Sequence, residues 1–196
     1  MSYPYARTFD EAYLYMELRP CVCGESEFDK TTASVIEDGV SVERYSGHCP
    51  NCGRARQFTF RMPEEPPRIS FDMVYGWGDE PSRLLDPGEW LGVADVFAAN
   101  ARAELDGADS ADEQRLTRIF YQLSAAVAAT GEAVKFLPSG ADRIPEEAFR
   151  SQPGRLRFEL SPERFRRTNL DAELAERKRT MADFEKRYGT DEAEAR

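Results

Sequence analysis

The chain has 196 residues, with 26 Lys and Arg against 36 Asp and Glu, giving a formal charge of −10. Hydrophobic residues make up 41%, which suits a folded protein with its own core and excludes a disordered one. A single His argues against a His-centred triad, a two-His zinc protease site and a facial-triad iron site, and four Cys are the remaining soft ligands.

The first ten residues, MSYPYARTFD, lack the basic-then-apolar pattern of a secretory signal. No apolar run approaches the roughly 18 residues that a membrane-spanning helix requires. Four Cys in such a chain suit metal binding better than disulfides, so the expected compartment is the cytoplasm. Thr8-Phe9-Asp10-Glu11 then forms a capping-box pattern, and Phe9, Ala12, Tyr13 and Met16 recur at helical spacing. A helix over about 9–18 is expected, although YLYMEL also reads as a strand.

The most informative stretches follow: Arg19-Pro20-Cys21-Val22-Cys23-Gly24 and His48-Cys49-Pro50-Asn51-Cys52-Gly53. The second is a Cys-Pro-x-Cys-Gly knuckle, whose tight turn aims two sulfurs at one centre, with Gly53 where a positive φ is needed. The first pair is one residue shorter and is also followed by Gly. Between the pairs lie 25 residues, room for a hairpin that returns the chain to its start. Thr32–Glu37 and Val40–Ser46 read as its strands around Asp38-Gly39, a hairpin turn signal. Ala55–Met62 alternates, with Phe58 and Phe60 on one face, as a third strand. Three short antiparallel strands with two Cys pairs resemble a zinc ribbon.

Cys21, Cys23, Cys49 and Cys52 are therefore the expected ligands of a structural Zn²⁺, because four thiolates close its tetrahedral shell and leave no position for substrate. Free core cysteines and a redox dithiol are the alternatives; His48 is a substitute donor for one Cys, but is expected instead to face solvent or to support the ligands. Arg19, Arg54 and Arg56 flank the knuckles, either to offset the negative centre or to contact phosphate.

Pro63-Glu64-Glu65-Pro66-Pro67 is a stiff breaker and the expected module boundary. Ile69–Tyr75 reads as one more strand before the Gly76-Trp77-Gly78 turn. Beyond it the period becomes helical. Asp86-Pro87-Gly88-Glu89 reads as N-cap, N1 proline and N3 acid. Trp90, Ala94, Phe97, Ala98, Ala101 and Leu105 then recur on one side. Ser110-Ala111-Asp112-Glu113 opens a second helix as a capping box, running to Phe136 or breaking at Gly131. A Pro/Gly-rich passage follows, with a short helix expected at Pro145–Phe149. Ser161-Pro162 or Thr168-Asn169 opens the last helix, closed by Gly189. The expected fold is α+β: residues 1–62 a short helix plus zinc ribbon, 63–68 a Pro/Glu linker, 69–189 a mainly helical body, and 190–196 a flexible acidic tail.

Charge is uneven. Residues 61–115 hold 5 basic and 13 acidic residues, a net of −8. Asp79, Glu80, Asp86, Glu89, Asp109, Asp112 and Glu113 are the candidate partner-binding residues, since an acidic block speeds association with a basic surface. The basic residues from Arg164 to Arg187 are interleaved with acids at helical spacing, which suits a solvated helix better than a nucleic-acid footprint. No phosphate-cradling glycine motif is present.

The blocks RPCVCG, CPNCGRARQFTFRMPEEP, EPSRLLDPGEWLGVAD, EAVKFLPSGAD and RFRRTNLDAELAERK together resemble a group of largely uncharacterised actinobacterial proteins that pair an N-terminal ribbon with a helical C-terminal part. That resemblance implies an immunity-type role beside toxin genes, with no binding residue identified. The expected function is thus a non-enzymatic, zinc-stabilised protein-binding module that neutralises a basic toxin or nuclease. The alternatives are a nucleic-acid-binding ribbon and a zinc enzyme with an open site.

Overall fold

The computed structural model describes residues 3–37, 39–63, 75–106 and 112–189. It is an α+β protein whose chain divides into two compact units, Met1–Leu85 and Asp86–Arg196. The expected strand Ile69–Tyr75 lies, up to residue 74, outside the described residues, as do 64–68 of the linker and the tail 190–196.

The first unit opens with α1, Phe9–Glu17, so YLYMEL is helical. Thr8 caps it by accepting the Glu11 N–H. The buried face is Glu11, Ala12, Leu14 and Met16, whereas Phe9 and Tyr13 of the expected stripe stay exposed. Burial of Glu11 is made possible by Arg7, which donates to Glu11 Oε1 through Nε at 3.0 Å and Nη2 at 2.6 Å. A buried carboxylate is tolerated only when paired and hydrogen-bonded in this way. Arg7 also donates to the Glu80 carbonyl at 2.7 Å, and Thr8 Oγ1 to the Tyr75 carbonyl at 3.0 Å. Residues 75–80 are thereby tied to α1, and Gly76 lacks a side chain because a Cβ there would lie 2.2 Å from the Arg7 guanidinium carbon.

Three antiparallel strands follow, β1 Asp29–Glu37, β2 Val40–His48 and β3 Ala55–Arg61, in the order β1-β2-β3. The register pairs Glu37 with Val40 and Asp29 with His48. The two-residue connection is the expected hairpin; Gly39 has φ +76°, and Asp38 lies outside the described residues. Tyr5 adds a parallel bridge to Arg61 at the β3 edge. Tyr15 meets Phe60 edge-on at 5.6 Å and Tyr45 meets Phe60 at 6.0 Å, so the small core is an aromatic layer between α1 and the sheet.

The second unit starts at α2, Pro87–Leu105, with Asp86 at the N-cap and a complete capping box to Glu89. Helix α3, Glu113–Val134, passes through Gly131 without breaking. Its N-cap is Asp112, accepting the Arg115 N–H at 3.0 Å, and not Ser110 as the sequence pattern suggested; Ser110 lies outside the described residues. The element expected at Pro145–Phe149 is a single 3₁₀ turn, Glu146–Ala148. A further helix, α4, spans Gln152–Leu160 within the passage read as a Pro/Gly-rich connection. Pro153 lies in its first turn, where the missing N–H costs nothing, and Ser151 caps it. After a 3₁₀ turn at Pro162–Phe165, α5 runs Arg167–Tyr188.

Ala101, Ile119, Leu123 and Phe184 form a core cluster joining α2, α3 and α5, flanked by Leu105, Leu116, Phe120, Met181 and Tyr188. Phe149, Phe158 and Phe165 stack beside α4 with centroids 4.5–5.9 Å apart. No helix among the described residues is long and apolar enough to cross a membrane.

Candidate metal centre

Both knuckles are built from the backbone upward. In the second, the Cys49 N–H donates to the Arg54 carbonyl at 2.9 Å and the Gly53 N–H to the Cys49 carbonyl at 2.9 Å. In the first, the Cys21 N–H donates to the Glu25 carbonyl at 2.7 Å and the Gly24 N–H to the Cys21 carbonyl at 2.8 Å. The two loops share one bonding scheme, and the first omits one residue between its cysteines. Gly24 (φ +90°) and Gly53 (φ +69°) occupy equivalent left-handed positions, which glycine adopts without strain. Cys-x-Cys-Gly is therefore a contracted form of the Cys-x-x-Cys-Gly turn.

The hairpin β1–β2 brings the knuckles together. Cys21 and Cys52 sulfurs lie 3.5 Å apart, as do those of Cys23 and Cys49, and all four lie within 4.8 Å of one another. Four sulfurs at about 2.3 Å from a tetrahedral ion stand about 3.8 Å apart, so this cluster fits a four-thiolate metal shell. Cys21 and Cys49 are buried, while Cys23 and Cys52 face outward.

Local hydrogen bonds favour thiolates at the first knuckle. The Cys23 N–H lowers the Cys21 thiol, and the Glu25 N–H brings the Cys23 thiol down to about 7. At Cys52 the Arg54 N–H also favours the thiolate, but the hydrogen bonds its protonated thiol donates to Cys21 and Cys23, with burial, outweigh it and push that thiol up to about 12. Four crowded sulfurs cannot all ionise unaided, and a cation at their centre removes that restriction.

His48 is exposed at the end of β2 and is not among the clustered ligands. Of the three flanking arginines, Arg56 is buried. Its Nη1 donates to the Ser26 carbonyl at 2.7 Å and its Nη2 to the Arg19 carbonyl at 2.5 Å. The guanidinium lies 4.6 Å from the Phe28 ring centre and 5.4 Å from that of Phe58. Arg56 thus clamps the chain on both sides of the first knuckle and is not presented to a phosphate. The signal for this was present in the alternation: Arg56 has the same strand parity as Phe58 and Phe60, and so points inward. Arg19 lies over the Tyr15 ring at 4.4 Å, and Arg54 is exposed.

The acidic candidates divide sharply. Asp79 and Glu80 are exposed in the first unit; Asp112 and Glu113 are exposed in the second. Asp86 and Glu89, by contrast, are 1% and 7% exposed. Asp86 accepts N–H groups from Glu89, Arg150 and Ser151, and Glu89 accepts the Asp86 N–H. Both are therefore internal hydrogen-bond acceptors and do not belong to a partner-facing surface. Asp109 lies outside the described residues. Comparison with protein-family models, curated proteins and solved structures finds no match to the chain.

Proposed function

We propose that the chain is a non-enzymatic recognition protein, stabilised by a structural Zn²⁺ and directed at a basic protein partner, as an immunity protein is directed at a basic toxin or nuclease. The observation that carries the reading is the cluster of four mutually close sulfurs, since a four-thiolate shell leaves no coordination position for substrate or activated water. Zinc is the metal that this soft, tetrahedral donor set suits best. The ion that Cys21, Cys23, Cys49 and Cys52 would hold fastens the start of the hairpin to its end, and supplies the rigidity that an aromatic layer of this size lacks.

The partner class follows from charge. The chain carries −10 formally, and Asp79, Glu80, Asp112 and Glu113 stand in solvent. A nucleic-acid reading is weakened because Arg56 is internal and Arg164 and Arg177 are already bound by Asp95 and Glu173.

The test is affinity capture from the native cell extract with the full zinc-loaded chain at about 150 mM salt, where long-range surface attraction is screened beyond about 8 Å. A basic protein is expected to be retained by the parent chain and lost with Asp79→Lys/Glu80→Lys/Glu113→Lys. Recovery of nucleic acid alone, no retained protein, or retention unchanged by charge reversal would contradict the reading.

A further inference from the structure

The four sulfurs alternate in exposure across the two knuckles. Cys23 and Cys52 face outward, whereas Cys21 and Cys49 are buried. Each outward sulfur stands 3.5 Å from a buried one of the other knuckle, Cys23 from Cys49 and Cys52 from Cys21. A small oxidant arriving from solvent therefore meets Cys23 or Cys52 first, with a second sulfur already behind it. Reversible thiol oxidation requires this pairing of an accessible thiolate with a resolving cysteine.

Bond formation asks each pair to close from 3.5 Å to about 2.05 Å, a small side-chain movement. A disulfide within the first knuckle would close a ring over the single residue Val22, shorter than the Cys-x-x-Cys spacing of redox dithiols. If Cys49 paired with Cys52, Cys21 and Cys23 would have only each other. Two unstrained disulfides therefore run between the knuckles. The bonds that shape the knuckles use no sulfur: the Cys21 and Cys49 N–H groups donate to the Glu25 and Arg54 carbonyls, and Arg56 donates to the Arg19 and Ser26 carbonyls. Oxidation leaves these bonds in place.

We propose, resting on the four-thiolate centre proposed above, that the cysteine cluster is a peroxide-sensitive switch that exchanges its metal for the disulfides Cys23–Cys49 and Cys21–Cys52 while the Met1–Leu85 unit stays folded. The Cys23 thiolate attacks one oxygen of hydrogen peroxide. The O–O bond breaks, that oxygen stays on sulfur as a sulfenic acid, and the other leaves as hydroxide. The Cys49 thiolate then attacks the Cys23 sulfur, forming the S–S bond and expelling a second hydroxide. Two electrons pass from the two sulfurs to the peroxide, and two protons from solvent turn both hydroxides into water. Cys52 and Cys21 repeat the sequence with a second peroxide. Disulfides carry no charge, so the cluster loses the negative charges that hold a cation. The bridged residues are 26 and 31 positions apart and join the same ends of the hairpin, so the link survives. A dithiol reductant reverses the exchange.

Peroxide titration of the full chain, loaded with one equivalent of zinc and dialysed, tests this. Zinc release is read with a chromophoric chelator, and disulfides are mapped by partial reduction and tandem mass spectrometry. About two peroxides consumed per zinc released are expected, with Cys23 joined to Cys49 and Cys21 to Cys52. Dimedone present early in the reaction is expected to label Cys23 or Cys52 at least about tenfold more than Cys21 or Cys49, because sulfenic acid forms on the accessible sulfur. The near-ultraviolet tyrosine signal is expected to persist, and dithiothreitol with zinc to restore the metal-bound form. Zinc retained under peroxide, any other disulfide pairing, dimedone chiefly on a buried cysteine, or loss of the tyrosine signal would overturn the switch while leaving the centre standing. Zinc that dialyses away before peroxide is added would contradict the centre itself, and the switch with it.

Discussion

Cys49→Ala is expected to reduce zinc affinity by more than about 100-fold and to abolish cooperative folding of the Met1–Leu85 unit at 25 °C. Loss of supporting residues around a metal ligand already costs about 10–100-fold in affinity, and removal of a ligand exceeds that. Cys49 is also 1% exposed and faces Cys23 at 3.5 Å, so no outside group replaces its sulfur. The consequence for folding follows from how little else joins the two knuckles. Cys21 and Cys23 precede β1, Cys49 and Cys52 follow β2, and β1 is exposed along nearly its whole length. Without the ion, the hairpin returns to its start through ladder hydrogen bonds, a thin aromatic layer and the Arg56 bonds to the Arg19 and Ser26 carbonyls. Two measurements check this: competition for zinc with a chromophoric chelator, and the near-ultraviolet signal of the Tyr13, Tyr15 and Tyr45 layer. The helical circular dichroism of the Asp86–Arg196 unit is expected to persist. Parent-like zinc affinity in the variant would show that Cys49 is not a ligand.

Asp86→Ala is expected to destabilise the second unit by about 4 kcal/mol, the sum of a lost helix cap and two further stranded N–H groups. The carboxylate is 1% exposed and serves three donors: Glu89 N–H at 2.9 Å through Oδ1, and Arg150 and Ser151 N–H at 3.1 and 2.7 Å through Oδ2. It begins α2 and fastens the segment that leads into α4. No other group replaces it, because Gly154 presses against it so closely that a Cβ there would lie 2.0 Å from Oδ1. Thermal unfolding followed by helical circular dichroism is expected to shift down by roughly 15 °C, at about 4 °C per kcal/mol for a unit of this size. Asp86→Asn retains one acceptor and is expected to fall between the two. A shift below about 3 °C in the alanine variant would mean that the three bonds carry no net stability.

The difference between these two sites marks what was readable in the chain. Cysteine spacing, the glycines behind each pair and the alternation of Ala55–Arg61 are local patterns, so the sheet and its sulfur cluster were legible. Thr8 and Asp86 were legible as caps for the same reason. The burial of Asp86 was not, because it depends on Arg150 and Ser151, more than sixty residues away. That long-range contact turns an apparent surface acid into an internal acceptor.

Helix α4 was hidden by the same kind of contact. Pro153 and Gly154 read locally as breakers, yet the proline sits in the first turn and the glycine is demanded by tertiary packing. A Cβ added at Gly88 would lie 2.5 Å from the Gly154 Cα, so α2 and α4 cross where both lack side chains. The inward-facing Glu11 was obscured by its charge, since its burial requires Arg7 to be placed beside it.

X-ray absorption at the zinc edge of the full chain loaded with one equivalent of zinc tests the closed centre most directly. Four sulfur neighbours at about 2.3 Å, with no nitrogen or oxygen in the shell, are the expected result. Three or fewer sulfurs with a light-atom neighbour, or zinc that dialyses away, would contradict a closed structural centre built from Cys21, Cys23, Cys49 and Cys52.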